Sequence, residues 1–163
     1  IIATTAWDYG AGKDVREDEK PEHINTIKPY TIRTDFVNWA RELAKDDELL
    51  QNIWNEFRGN KPETKLKVLF GSVVSGAAVV TDSEIVKEIL KEQSRDILAV
   101  EMEIYGMYYA ANWAIKPRPR YLALKSISDF ADEKKSDEYH QYASYTSAKI
   151  FEILAKNYFE YDF

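Results

Sequence analysis

Leu98-Ala99-Val100-Glu101-Met102-Glu103 and Tyr121-Leu122-Ala123-Leu124-Lys125-Ser126-Ile127-Ser128-Asp129-Phe130-Ala131-Asp132 decide the reading of this chain. Each block is a short apolar run that ends in acidic residues. Between them Ile104 to Ile115 is apolar almost all round, which predicts a helix buried on more than one side or lying at a subunit contact. Strand, helix, strand is the repeating unit of an α/β sheet, and in open α/β sheets ligands gather at the carboxyl ends of the strands. Glu101, Glu103 and Asp129 are therefore the first candidate site residues.

Working outward, Lys65 to Val74 is rich in β-formers and passes into Ser75-Gly76-Ala77-Ala78-Val79-Val80. Small residues there permit either close helix packing or close approach of backbone to a ligand. Asp82 or Ser83 is placed to cap an amphipathic helix with Ile85, Val86, Ile89 and Leu90 inward. Tyr139 to Tyr158 reads as the closing helix. Towards the other end, Ile1 to Thr5 resembles the end of a strand and Trp7 to Lys13 a turn-rich excursion. The charged stretch from Asp14 to Glu22 reads as a solvated loop. Pro29 to Ile32 is expected to be extended. Asp35 is expected to cap a long helix reaching Arg58, with Lys45 to Glu48 as a possible break. Neither His23 nor the basic Lys116-Pro117-Arg118-Pro119-Arg120 has neighbours that point to chemistry.

A chain of 163 residues suits one domain and is long enough to bury roughly 70% of the surface its unfolded form exposes. It has no cysteine, which excludes disulfides, thiolate metal sites and a cysteine nucleophile. The 28 acidic residues exceed the 22 basic ones, for a net charge of −6. That balance opposes attraction to nucleic acid or an anionic membrane. No apolar run approaches a bilayer span, so neither a nucleic-acid nor a membrane partner is expected and the cytoplasm is the default location. The chain opens on Ile1-Ile2-Ala3-Thr4-Thr5 without an initiator methionine, which suggests a piece of a longer protein.

Acids at strand ends can bind metal, accept hydrogen bonds from a sugar diol, deliver a proton from a raised pKa, or simply cap helices. No loop of the calcium-binding type or histidine ligand accompanies them. Composition and spacing leave all four readings open, with metal the least favoured.

The blocks Val74-Ser75-Gly76, Val100-Glu101-Met102-Glu103 and Ser126-Ile127-Ser128-Asp129-Phe130-Ala131-Asp132, in this order, resemble the purine nucleoside phosphorylase and methylthioadenosine/S-adenosylhomocysteine nucleosidase superfamily. The resemblance covers nearly the whole chain and implies an α/β fold with a central twisted mixed sheet flanked by helices. It implies cleavage of the N-glycosidic bond of a purine nucleoside, adenosine-type or methylthioadenosine-like, without metal or organic cofactor. On that basis Met102 and Glu103 hold ribose, Asp129 hydrogen-bonds the purine and assists its protonation, and Val79 and Val80 line the base pocket. Ser75, Gly76, Glu101 and Ser128 join them as expected substrate contacts.

The Ser-Asp-x-Ala-Asp form resembles the nucleosidases, and no arginine follows Asp129 to meet phosphate; water is favoured over phosphate as the acceptor. A phosphorolytic enzyme is the alternative, with phosphate as a second partner. Another is a catalytically quiet nucleotide-sensing domain of a bacterial signalling or defence protein. Two positions depart from the family pattern. Lys125 stands where an arginine is usual, and Val79 where an aromatic is usual. The family's early strands and water-activating glutamate are expected upstream of Ile1, so these 163 residues alone are expected to have little activity. A homo-oligomer is also implied by the resemblance.

Overall fold

The computed structural model describes residues 1–17, 20–128 and 138–159. In chain order the elements are β1 (Ile2–Asp8), β2 (Gly12–Glu17), β3 (Lys20–Asn25), β4 (Tyr30–Thr31), α1 (Thr34–Ala44), α2 (Asp47–Glu56), β5 (Phe70–Ser75), α3 (Ser83–Glu92), β6 (Ile97–Glu101), α4 (Ile104–Trp113) and α5 (His140–Tyr158). The main sheet has the order β4-β1-β5-β6. β1 to β5 and β5 to β6 are parallel, whereas β4 runs antiparallel to β1, so the sheet is mixed.

Apolar side chains leave both faces of this sheet, because successive residues of a strand point to opposite sides. On β5, Val73 enters the main core with Ile2, Ala6, Phe36, Leu43, Ile53, Tyr108 and Leu154. Its neighbour Val74 enters a smaller cluster with Trp7, Ile89 and Ile97. Both valines are fully buried. Helices therefore flank the sheet on two sides, as the alternation of apolar strands and amphipathic helices predicts.

Several local expectations are corrected. The charged stretch after Gly12 is not a loop: β2 and β3 pair antiparallel from Gly12↔Asn25 to Glu17↔Lys20. Cross-strand polar pairs support such a ribbon without a buried face, as where His23 Nδ1 lies 2.8 Å from Asp14 Oδ1. Trp7 is no turn residue but the buried end of β1, its indole N–H donating to Gln93 Oε1 at 2.8 Å. The break expected at Lys45 to Glu48 is present, and it divides the helical stretch into α1 and α2. Asp46 accepts from Leu49 N at 2.9 Å and starts α2, while Asp35 lies inside the first turn of α1 and grips Arg33. Within the chain α4 buries one stripe, Ile104 and Tyr108, and leaves Met107, Tyr109 and Trp113 exposed, which overturns burial on more than one side and leaves the expectation of a subunit contact untouched.

Tyr121 to Ile127 was expected to be a strand and is a strand only in outline. Ala3 N donates to Ala123 O at 3.1 Å and Lys125 N to Ile1 O at 3.0 Å, yet only the isolated bridge Ile2↔Leu124 forms. The reason is a hydroxyl inserted into the ladder. Tyr108 Oη donates to Ala3 O at 2.6 Å and accepts from Ala123 N at 3.1 Å, taking the place of the direct Ala123-to-Ala3 rung. Burial pushes the pKa of this phenol up, so it stays a neutral donor. Among the described residues no helix is long and apolar enough to cross a membrane.

Candidate functional site

The carboxyl ends of β5 and β6 lie side by side, with Ser75 paired to Glu101 and Gly76 N donating to Glu101 O at 2.9 Å. Between Glu101 and the start of α4 at Ile104 lie only Met102 and Glu103. That short junction turns the Glu101 carboxylate back beneath the first turn of α4. It accepts the Ser75 hydroxyl, Glu103 N at 2.9 Å and Ile104 N at 3.0 Å, and sits 3.2 Å from Lys125 Nζ. Ser75 Oγ in turn accepts from Tyr105 N at 2.9 Å.

Helix N-termini present amide hydrogens that lack intrahelical partners, and an anion there is favoured by both hydrogen bonding and the helix dipole. Burial alone drives the Glu101 pKa up. The Ser75 hydroxyl, the two amides and the Lys125 charge together outweigh it and hold the carboxyl below the usual glutamate range. Glu101 is thus an ionised, buried cap.

Glu103 is different. Its side chain is 70% exposed and its Oε2 lies 2.7 Å from Lys125 Nζ. Burial lowers the lysine pKa, but the hydrogen bond to Glu103 and the charge of Glu101 more than offset it, so Lys125 stays an ammonium. One cation therefore bridges one buried and one exposed carboxylate.

A cleft of about 240 Å³ opens beside this arrangement. Val79, Val80, Glu101, Met102, Glu103 and Ser128 all line it, together with Lys125, Ser126 and His140. Residues distant in sequence thus share one space. Ser75 and Gly76 do not reach its wall. Ser75 is buried behind Glu101, and a β-carbon on Gly76 would fall 2.1 Å from the Tyr9 ring, which closes over that glycine. Asp129, the expected proton donor, lies outside the described residues.

His140 at the start of α5 and the double contact of Lys125 were not singled out by the sequence as site features. Nothing in the flanking residues of His140 signals a site, whereas the lysine in place of the family arginine was the available clue. Among the described residues no group of three or more histidine, aspartate or glutamate side chains is placed to hold a metal ion. A larger apolar cavity of about 450 Å³, between Phe36, Trp39, Met107 and Phe151, contains none of the candidate residues.

Comparison with known proteins gives the geometry a context. No protein-family model matches the chain. It is 34% identical over 152 residues to the uncharacterized protein y4jS of Sinorhizobium fredii, a match spanning 92% of this chain and 36% of that protein. It is 30% identical over 116 residues to a 5′-methylthioadenosine/S-adenosylhomocysteine nucleosidase of Buchnera aphidicola, spanning 69% of this chain and 48% of the relative. The crystal structure of the corresponding nucleosidase from Neisseria meningitidis, in complex with methylthio-immucillin-A, superposes with a TM-score of 0.59 at 21% identity. The chain has the nucleosidase fold. It resembles these nucleosidases weakly in sequence, and the superposition covers 95% of this chain and 58% of the solved one. The chain therefore spans between about a third and three-fifths of the length of the proteins it matches. Within that fold, Ala78 to Val80 after β5, the end of β6 with Met102 and Glu103, the stretch from Lys125 to Ser128, and His140 line the cleft described above.

Proposed function

We propose that the protein hydrolyses the N-glycosidic bond of a purine nucleoside, adenosine-type or methylthioadenosine-like. The observation that carries this reading is the cleft, which gathers Val79, Val80, Met102, Glu103 and Ser128 from three separate stretches of chain. The fold shared with a nucleosidase solved in complex with methylthio-immucillin-A supports it.

Breaking this bond develops positive charge on the sugar and negative charge on the departing purine. The exposed carboxylate of Glu103 suits the sugar end, where it accepts from ribose hydroxyls and opposes the growing cation. Val79, 59% exposed at the cleft, offers an apolar surface to a base. Asp129, directly after Ser128, is assigned delivery of a proton to the base. Glu101 stays ionised in the wall of the cleft, its carboxylate turned under the start of α4, so its part is structural support of Met102 and Glu103.

The test is chromatography of the intact protein with adenosine, methylthioadenosine and inosine, with and without phosphate. Free base without phosphate is the expected result. Base released only with phosphate would make the protein a phosphorylase, and binding without release a quiet sensing domain. Asp129→Asn is expected to slow base release by about 10²–10⁴-fold, the usual contribution of a general acid, with the melting temperature little changed. Turnover equal to wild type would remove Asp129 from the mechanism.

A further inference from the structure

Glu103 and Glu101 share a cation but differ in freedom. The Glu101 side chain is 3% exposed and fixed by Ser75 and two backbone amides, whereas that of Glu103 is 70% exposed. Lys125 links them, with Nζ at 3.2 Å from Glu101 Oε2 and 2.7 Å from Glu103 Oε2. The lysine is anchored at its backbone, its N donating to Ile1 O at 3.0 Å. A line of fixed groups thus runs from the end of β5 to the exposed carboxylate of Glu103.

An ion pair this exposed contributes little to folding. Its effect on ordering is larger in proportion. A free surface glutamate loses rotamer entropy when it is immobilised on a ligand, and holding it in advance removes that cost from binding.

We propose that Lys125 is the positioning residue that sets sugar specificity: by holding Oε2 of Glu103 it leaves Oε1 as an oriented acceptor for a ribose hydroxyl and makes the cleft select ribonucleosides over 2′-deoxyribonucleosides. The inference rests on the purine-nucleoside reading above. Its physical basis is that a site built to hydrogen-bond a hydroxyl rejects the analogue lacking it, because the oriented acceptor is then left unpaired. A carboxylate free to swing away into water suffers no such loss.

The experiment is isothermal titration of adenosine and 2′-deoxyadenosine into the intact protein and into Lys125→Met, Lys125→Gln and Lys125→Arg, with adenine release followed in parallel. Wild type is expected to prefer adenosine by about tenfold or more, since one charge-assisted hydrogen bond contributes on the order of 1.5–3 kcal/mol. Lys125→Met is expected to reduce that ratio to about threefold or less, and Lys125→Arg to restore it. Lys125→Gln retains a donor for Glu101, and covers the case in which the methionine variant does not fold. A ratio unchanged in both Lys125→Met and Lys125→Gln overturns the proposal while adenosine cleavage leaves the nucleoside reading standing. A wild-type protein that binds and cleaves both nucleosides equally does the same. A wild-type protein that binds neither nucleoside overturns both.

Discussion

Replacing Glu101 by glutamine tests the geometry at the strand ends most directly. The carboxylate accepts from the Ser75 hydroxyl, Glu103 N, Ile104 N and Lys125. Glutamine offers one oxygen in place of two, and turns its amide hydrogens towards groups that are themselves donors. Each bond to the charged group contributes about 1.5–3 kcal/mol, and removing the buried ion relieves part of that through its desolvation. Lys125 keeps Glu103 as a partner, which also limits the damage. The net loss is then about 2–4 kcal/mol, or roughly 5–15 °C in Tm for a domain of this size. Urea unfolding followed by tryptophan fluorescence and far-ultraviolet circular dichroism measures it. A loss below about 0.5 kcal/mol would refute the reasoning, because a buried acceptor of this kind cannot be neutralised without cost.

The same variant fixes the sign of a pH effect. The folded state holds the Glu101 carboxyl below its ordinary value, so its contribution is present above the unfolded glutamate pKa of about 4.3 and is lost as pH falls through the folded value. Wild type and Glu101→Gln should therefore differ most near neutral pH. The gap should begin to narrow near pH ~4.3 and close at lower pH. A gap of constant size from neutral pH down through that range would contradict the assignment.

Two further substitutions probe how the site is carried. Tyr108→Phe removes the hydroxyl between Ala3 O and Ala123 N and should cost about 1–3 kcal/mol for the unpaired backbone groups; faster amide exchange at Ala123 reports it directly, and unchanged exchange would mean that the hydroxyl does not hold that amide. Asp46→Ala removes the acceptor for Leu49 N and should lower stability by about 1 kcal/mol, with Asp46→Asn retaining most of it; equal losses in both variants would show that the charge, not the cap, matters there.

How far the fold was legible depends on whether a segment has a dry face. The stripe Phe36, Ala40, Leu43, Leu50 and Ile53 is buried because its helical period allows one apolar side, and that period is visible in the residues themselves. Asp82, expected as a cap of α3, accepts from Glu84 N at 2.8 Å. The β2–β3 ribbon has no such stripe. Its residues are polar on both sides, so the residue pattern could not separate it from a loop. The charged run Lys45 to Glu48 marks the break after Ala44, but not which aspartate caps the second helix, since Asp46 and Asp47 are chemically alike and only backbone geometry chooses.

By itself the sequence determined the alternation of apolar strands and helices, the acidic end of β6 and the family resemblance, because each is a local pattern of residue type and spacing. Only the tertiary structure decided what the acids are. Glu101 and Glu103 are two positions apart, yet one is sealed under a helix end and the other meets solvent. That difference comes from Ser75, brought in from the end of β5, and from the Glu103 and Ile104 amides at the start of α4, which hold Glu101 alone; the distances at which they settle follow from packing rather than from any local rule.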